Sequence, residues 1–152
     1  MIKVGDSLPN ATFTVMTADG PKPRATDEIF KGKKVVLFGV PGAFTPTCHR
    51  NHLPSYRDKA AEFKAKGVDT IAVMAVNDVF VMGAWADASA SKDKIEFLAD
   101  GSAAFSKETG LDLDLTANTH SSSDVHDLKF SRVIPRDKDD LLPREALYRV
   151  FR

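Results

Sequence analysis

The sequence predicts an α/β protein in which a central sheet is flanked by helices. Three apolar runs have the length and β-branched content of buried strands: residues 33–39, 68–76 and 95–99. These runs alternate with segments of helical periodicity. Strands that alternate with helices pair in parallel, because each crossover returns the chain to the same end of the sheet. In such sheets ligands bind beyond the carboxyl ends of the strands.

The segment after the first strand has the pattern of an amphipathic helix. Between residues 47 and 66, apolar residues recur at spacings of three and four and form one face: Leu53, Tyr56, Ala60 and Phe63. Gly67 is suited to end this helix, because glycine readily adopts the left-handed conformation of a C-terminal cap. Pro54 lacks the N–H that a helix interior requires, so we expect a kink or a break there.

The remaining segments complete the alternation of strands and helices. We expect residues 1–30 to form an irregular arm with short strands, one of them at 11–15. Asn77 and Asp78 are suited to cap a helix of about ten residues that runs through Trp85, because their side-chain oxygens can accept the free N–H groups of a first turn. Two further elements are predicted: a helix over 103–109 between Ser102 as its cap and Gly110 as its end, and a strand over 128–134.

The composition suits a single domain over residues 1–152 and excludes several functional classes. The chain is 43% hydrophobic, which is sufficient for one core. Lys and Arg total 21, as do Asp and Glu, so no basic excess predicts binding to nucleic acid or to a membrane. The first residues lack the apolar core of a signal peptide, and no run approaches the roughly 18 apolar residues of a membrane span. We therefore expect a cytoplasmic protein.

The chain contains one cysteine, Cys48, and this count limits its chemistry. A single cysteine cannot form an internal disulfide, which fits a reducing compartment. Zinc sites built from several cysteines are excluded, and the four histidines show no ligand spacing. We expect neither a metal nor a cofactor.

Cys48 lies where a strand ends and a helix begins. Pro41 and Gly42 end the strand, and Pro46 suits the first turn of the following helix. The N–H groups and the dipole at a helix start stabilise a thiolate, so this placement predicts a lowered thiol pKa and nucleophilic chemistry. Thr45 precedes Cys48 by three residues, which brings its hydroxyl within reach in a helical turn. The alternative from placement alone is a small buried apolar residue.

The residues around Cys48 resemble the active-site signature of the peroxiredoxins. Pro-Gly-Ala-Phe-Thr-Pro-Thr-Cys at 41–48, followed by His-Leu-Pro at 52–54, is similar to the peroxiredoxin-five-like subfamily, including its glutaredoxin-linked bacterial members. The resemblance covers about residues 3–116 and extends to other segments of that subfamily: 76–82 with Trp85, 97–101 and 110–115. It implies a thioredoxin-like fold with a central mixed sheet.

This resemblance also implies an activity and a set of site residues. The activity is the reduction of hydrogen peroxide and organic hydroperoxides by a thiol. Cys48 is then the peroxidatic nucleophile, which passes through a sulfenic acid. Thr45 hydrogen-bonds the thiolate and orients the peroxide, and Pro41 shields the sulfur from water. Three further residues are expected to contact the substrate: Gly42, Phe44 and Thr47.

The same resemblance implies two kinds of partner. Because the chain has no second cysteine, an external thiol must resolve the sulfenic acid, with glutathione and glutaredoxin expected first and thioredoxin second. The resemblance also implies that the surfaces around Phe44 and Phe80 contact a second subunit, so we expect a homodimer. We expect His49 to lie on the helix surface and His52 to be a hydrogen-bonded structural residue. Neither is expected to act as a general base, because a stabilised thiolate needs none.

The chain departs from the family pattern after residue 116. The family has a late arginine that reaches the sulfur, and here the matching position holds Lys129, while Arg132 lies three residues further on. Residues 117–152 diverge from the family. The alternative function is therefore a weakened peroxiredoxin that acts as a redox sensor, a chaperone or a binding module. A disulfide reductase is disfavoured because Thr45 replaces the first cysteine of Cys-x-x-Cys.

Overall fold

The computed structural model describes residues 2–3, 5–114, 126–128 and 149–151, with backbone alone from 113 onward. Its elements alternate as predicted: β1 (Thr12–Thr17), β2 (Gly20–Ala25), α1 (Thr26–Phe30), β3 (Val35–Gly39), a π-helical turn (Cys48–His52), α2 (Leu53–Asp58), α3 (Ala60–Ala65), β4 (Thr70–Ala75), α4 (Val79–Ala88), β5 (Glu96–Ala99), α5 (Ala104–Thr109), β6 (Asp112–Asp114), β7 (His126–Leu128) and β8 (Arg149–Phe151).

Six strands form one mixed sheet in the order β2-β1-β5-β4-β3-β8. β4 pairs in parallel with both β3 and β5, as the crossover helices require. β1 is antiparallel to β2 and β5, and β8 is antiparallel to β3. The predicted α/β class with a central mixed sheet is therefore confirmed.

The centre of the sheet is buried on both faces, which explains why β3, and β4 after Thr70, are apolar. Alternate residues of β3 point to opposite sides, because side chains of a strand alternate with period two. Val36 and Phe38 join a cluster with α2, α3 and α4, and this cluster includes Cys48. Val35 and Leu37 join the opposite cluster with α1 and α5. The cysteine thus belongs to one of the two apolar layers.

The N-terminal region is more regular than predicted. β1 confirms the strand expected near residues 11–15, but β2 and α1 replace the irregular chain expected after it. Pro21 and Pro23 concealed β2 in the sequence, because proline cannot donate a ladder hydrogen bond. They are tolerated since β2 is an edge strand of the sheet, and among the described strands it pairs only with β1.

The helices after β3 and β4 match their expected positions. The irregularity expected at Pro54 takes the form of the π-helical turn that ends just before α2, and the helix is interrupted again at Lys59. Gly67 has a φ of +79°, as expected at a helix end. The Asp78 carboxylate accepts hydrogen bonds from the N–H groups of Phe80 and Val81, so the predicted cap of α4 is confirmed.

The predicted cap of α5 is wrong. The residue before α5 is Ala103, with a φ of +55°, and Ser102 makes no capping hydrogen bond to the helix. The buried Asp100 carboxylate instead accepts the N–H groups of Phe105 and Ser106 at 3.2 and 2.9 Å. A carboxylate near the N-terminus of a helix also interacts favourably with its dipole. Gly110 ends α5 with a φ of +65°, as predicted.

Several predictions concern residues outside the described part of the chain. Lys129 and Arg132 both lie there, as does most of the divergent segment 117–152. Of the strand predicted over 128–134, only Leu128 is described, as the last residue of β7, which pairs with β6. In the described part, no helix is long and apolar enough to cross a membrane.

Candidate active site

Cys48 lies beyond the carboxyl end of β3, as predicted. Val40 extends the strand by one hydrogen bond, from its N–H to the Met74 carbonyl at 3.0 Å. The chain then turns through a segment that we call the Cys48 loop (residues 40–47). The Thr45 carbonyl accepts the His49 N–H at 2.8 Å, which closes the first helical turn around Cys48. The cysteine is therefore at a helix start.

The Cys48 loop is held in place by the segment between β4 and α4. The Asn77 side-chain oxygen accepts the Ala43 N–H at 2.8 Å. The next residue, Phe44, has a φ of +62°, a strained conformation for a residue with a side chain, and it is 46% exposed. The sequence indicated Asn77 only as part of a helix cap. Its role in fixing the loop depends on the pairing of β3 with β4, which no local pattern reveals.

The sulfur of Cys48 is in an apolar environment that opposes its ionisation. The residue is 8% exposed and packs in the cluster that contains Phe38 and Leu53. Burial raises the pKa of the Cys48 thiol, and the hydrogen bond with Thr45 lowers it by a smaller amount. The lowered pKa predicted from the helix start is wrong for the described residues, because desolvation of the sulfur outweighs the hydrogen bond with Thr45.

Thr45 is the polar neighbour of Cys48 that the sequence predicted. Its hydroxyl donates to the Gly42 carbonyl at 2.9 Å and also hydrogen-bonds Cys48. A hydroxyl has one proton and two acceptor lone pairs, so it can accept from a thiol while it donates to Gly42. Toward a thiolate it must rotate and donate to the sulfur. Thr45 can therefore follow the change in charge of Cys48.

His49 is more tightly held than the predicted surface residue. The Trp85 indole N–H donates to His49 Nδ1 at 3.0 Å. Trp85 is fully buried, and the ring of Phe44 contacts both partners, with centroids 5.8 Å from His49 and 6.4 Å from Trp85. This hydrogen bond joins the residue after Cys48 to α4.

His52 also differs from its prediction as a hydrogen-bonded residue. Its ring packs between Phe38 and Tyr56, with centroid distances of 5.1 and 5.5 Å. Its Nε2 is buried and has no hydrogen-bond partner among the described residues. Burial lowers the pKa of His52 and favours the neutral ring. The side-chain hydrogen bond expected at His52 is thus found at His49, and His52 is held by the packing of its ring.

The loop brings the predicted site residues of the described region together on one short segment. Pro41, Gly42 and Thr45 precede Cys48, and Phe44 and Thr47 are exposed beside it. The predicted cation, Lys129 or Arg132, is outside the described residues. Within the described chain, no group of three or more His, Cys, Asp or Glu side chains could hold a metal ion.

A thioredoxin-like sheet with one cysteine in the first turn of the helix after β3 defines a thiol-dependent redox protein. The family model described as Redoxin matches residues 3–131. Peroxiredoxin-2C from Oryza sativa is 45% identical over 116 residues, which are 76% of this chain and 72% of that protein. Peroxiredoxin-2B from Arabidopsis thaliana is 45% identical over 115 residues, 75% of this chain and 71% of that protein.

Solved structures give the same result. Reduced Prx3 from Vibrio vulnificus in complex with hydrogen peroxide is 51% identical, with a TM-score of 0.75 over 78% of this chain and 74% of that one. Peroxiredoxin 5 from Alvinella pompejana is 38% identical, with a TM-score of 0.69 over 78% and 75% of the two chains. The chain belongs to the peroxiredoxin family of thiol peroxidases, as the resemblance implied.

The Thr45 hydroxyl provides a direct test of the site. We expect Thr45→Val, which keeps the side-chain shape but removes the hydroxyl, to slow alkylation of Cys48 at neutral pH by about tenfold, a typical effect of losing one hydrogen bond to a charged group. Because the hydroxyl lowers the Cys48 pKa, the midpoint of the pH–rate profile should move to higher pH. Thr45→Ser keeps the hydroxyl and should retain the wild-type profile. An unchanged midpoint in Thr45→Val would contradict this role.

Proposed function

We propose that Cys48 is the nucleophile with which this peroxiredoxin reduces hydrogen peroxide and organic hydroperoxides. The observation that carries the proposal is the position of the single cysteine in the first helical turn beyond β3, hydrogen-bonded to Thr45. The Vibrio vulnificus relative, 51% identical, is described in complex with hydrogen peroxide, which supports this substrate.

The chemistry follows from the groups around the sulfur. The Cys48 thiolate attacks one peroxide oxygen, the O–O bond breaks, and the sulfur becomes a sulfenic acid. The second oxygen leaves as hydroxide or alkoxide and takes up a proton to give water or an alcohol. Thr45 can donate a hydrogen bond to the reacting oxygens, as can the Cys48 N–H, which lies in the first helical turn where N–H groups have no intrahelical acceptor. Half-buried Pro41 limits the access of water.

Charge near the sulfur is the remaining requirement of this mechanism. Burial raises the pKa of Cys48, so a nearby cation would increase the fraction of thiolate at neutral pH. We propose Lys129 or Arg132 for this role. Arginine suits it better because its planar group donates two parallel hydrogen bonds.

The sulfenic acid must be reduced by thiols from outside the chain, because Cys48 is the only cysteine. One thiol attacks the sulfenic sulfur, the S–O bond breaks, and oxygen leaves as water with the thiol proton. A second thiol attacks the mixed disulfide, restores the Cys48 thiol and leaves as part of a disulfide. We propose glutathione with glutaredoxin as the reductant, with thioredoxin second. This dependence on external thiols supports a location in the reducing cytoplasm, which microscopy of the tagged protein would test.

Stopped-flow mixing of the reduced protein with hydrogen peroxide tests the function. We expect Cys48 to be consumed at least about a hundredfold faster than free cysteine, since a single well-placed donor contributes about this factor. Cys48→Ser should abolish turnover. A rate equal to that of free cysteine would instead favour the weakened protein, a redox sensor, chaperone or binding module, which the raised Cys48 pKa also fits.

The reductant is identified by steady-state turnover with each thiol system at equal concentration. We expect glutathione with glutaredoxin to support faster peroxide consumption than thioredoxin does, measured by NADPH oxidation through the matching reductase. Faster turnover with thioredoxin would reverse the order. If neither system reduces the oxidised protein, resolution by these thiols is wrong.

We further propose that the protein is a homodimer that buries Phe44 and Phe80. These are the large apolar side chains exposed in the described chain, at 46% and 67%. They lie on adjoining segments, because Asn77 binds the backbone next to Phe44 and α4 begins two residues after Asn77. Exposed aromatic residues on adjoining segments commonly mark an interface.

Analytical ultracentrifugation tests this assembly. We expect Phe80→Lys to shift the protein from dimer to monomer, because a charge in the interface would be desolvated without a partner. Ala88→Lys, at the exposed end of the same helix, serves as the control and should remain dimeric. A monomeric wild type, or a Phe80→Lys variant that stays dimeric, would contradict the proposed surface.

A further inference from the structure

The reaction of Cys48 with peroxide and the later reduction of its sulfenic acid place opposite demands on the exposure of the sulfur. This inference rests on the proposed function. Peroxide is small and can enter a closed pocket. The external thiol is larger and must approach the sulfenic sulfur in line with the S–O bond. Cys48 is only 8% exposed, so the second step requires it to move outward. Whatever holds Cys48 inward therefore controls that step.

We propose that the hydrogen bond from Trp85 to His49 is a latch that holds Cys48 in its buried position and limits the rate at which an external thiol can reach it. Trp85 and His49 are positioning residues in this proposal, since they act through Cys48. Neither residue takes part in the chemical steps.

The partner on the α4 side of the latch is fixed. Trp85 is 0% exposed and packs edge-on against Phe97 at a centroid distance of 5.6 Å. Its indole N–H can donate only, and it finds its acceptor in His49 Nδ1 at 3.0 Å. If His49 moved away, a buried donor would lose its partner, which proteins strongly avoid. The buried N–H therefore resists the outward movement of His49.

The partner on the cysteine side moves with Cys48. His49 is the next residue in the same π-helical turn, and its N–H is bound to the Thr45 carbonyl at 2.8 Å. Cys48 and His49 are thus parts of one hydrogen-bonded turn. A displacement large enough to expose the sulfur must displace the imidazole as well, and so break its bond to Trp85.

The acceptor atom of His49 allows a matched set of variants. The side-chain oxygen of asparagine occupies nearly the position of imidazole Nδ1, so His49→Asn keeps an acceptor for Trp85. His49→Leu fills similar space without an acceptor. Trp85→Phe removes the donor from the other side and keeps an aromatic ring. His49 is only half-buried, so its variants should fold even if Trp85→Phe does not.

The first measurement follows the two half-reactions separately by stopped flow. We expect His49→Leu and Trp85→Phe to accelerate reduction of the sulfenic acid by glutathione about two- to tenfold, the usual effect of one neutral hydrogen bond. Reaction with hydrogen peroxide should stay within about twofold of wild type, because the site remains mostly closed when opening is rare. General damage to the site would instead slow the peroxide step. His49→Asn should match wild type in both steps.

The second measurement does not depend on peroxidase activity. Cys48 is the only thiol, so its reaction with the bulky disulfide 5,5'-dithiobis(2-nitrobenzoic acid) reports directly on access to the sulfur. Rates are compared at equal thiolate fraction, taken from the ultraviolet absorbance of the thiolate. We expect the same two- to tenfold acceleration in His49→Leu and none in His49→Asn.

These outcomes separate the latch from the proposed function. If wild-type Cys48 does not react rapidly with peroxide but His49→Leu still exposes it to the bulky disulfide, the latch stands and the function falls. The opposite result is rapid reaction with peroxide, but equal rates for His49→Leu and His49→Asn both in reduction of the sulfenic acid by glutathione and in reaction of Cys48 with the bulky disulfide. In that case the function stands and the latch is overturned. Slower reduction of the sulfenic acid in His49→Leu would also overturn it.

Discussion

The burial of one sulfur atom at the end of β3 is the constraint on which the site depends. Val36 and Phe38 build an apolar layer on one face of the sheet, and the helix after β3 packs Cys48 into that layer. The same burial that fixes the position of the sulfur raises its pKa. Polar groups beside it, such as Thr45, must therefore offset desolvation. Packing and reactivity are opposed at this atom.

The pairing of β3 with β4 supplies the contacts that hold the Cys48 loop. The two strands are parallel, so their carboxyl ends meet at one edge of the sheet. Asn77 follows β4 at this edge, and its side chain accepts a hydrogen bond from the Ala43 N–H of the loop. Trp85, on α4, donates to His49 just after the loop. The site is thus assembled from two segments distant in sequence. Its geometry depends on the crossover between β3 and β4.

The sequence predicted where the reactive group lies better than it predicted the surroundings of that group. Apolar runs and cap residues such as Asp78 are local signals, so β3, β4, α4 and the position of Cys48 followed from them. The direction of the Cys48 pKa shift did not, because desolvation depends on which distant residues cover the sulfur. The same reason explains why the side-chain hydrogen bond expected at His52 is found at His49 instead. Asp100 replaced Ser102 as a cap through a turn that periodicity does not encode.

The π-helical turn links Pro54 to the geometry of Cys48. In a regular α-helix the ring of Pro54 would collide with the carbonyl of Arg50, four residues earlier. A wider turn before the proline relieves that contact, and the Leu53 N–H accordingly bonds to the Cys48 carbonyl, five residues back. The wide turn begins at Cys48 itself. A residue that the sequence marked only as a helix breaker therefore determines how the helix leaves the reactive cysteine, and the sulfur, the latch histidine and the proline belong to one structural unit.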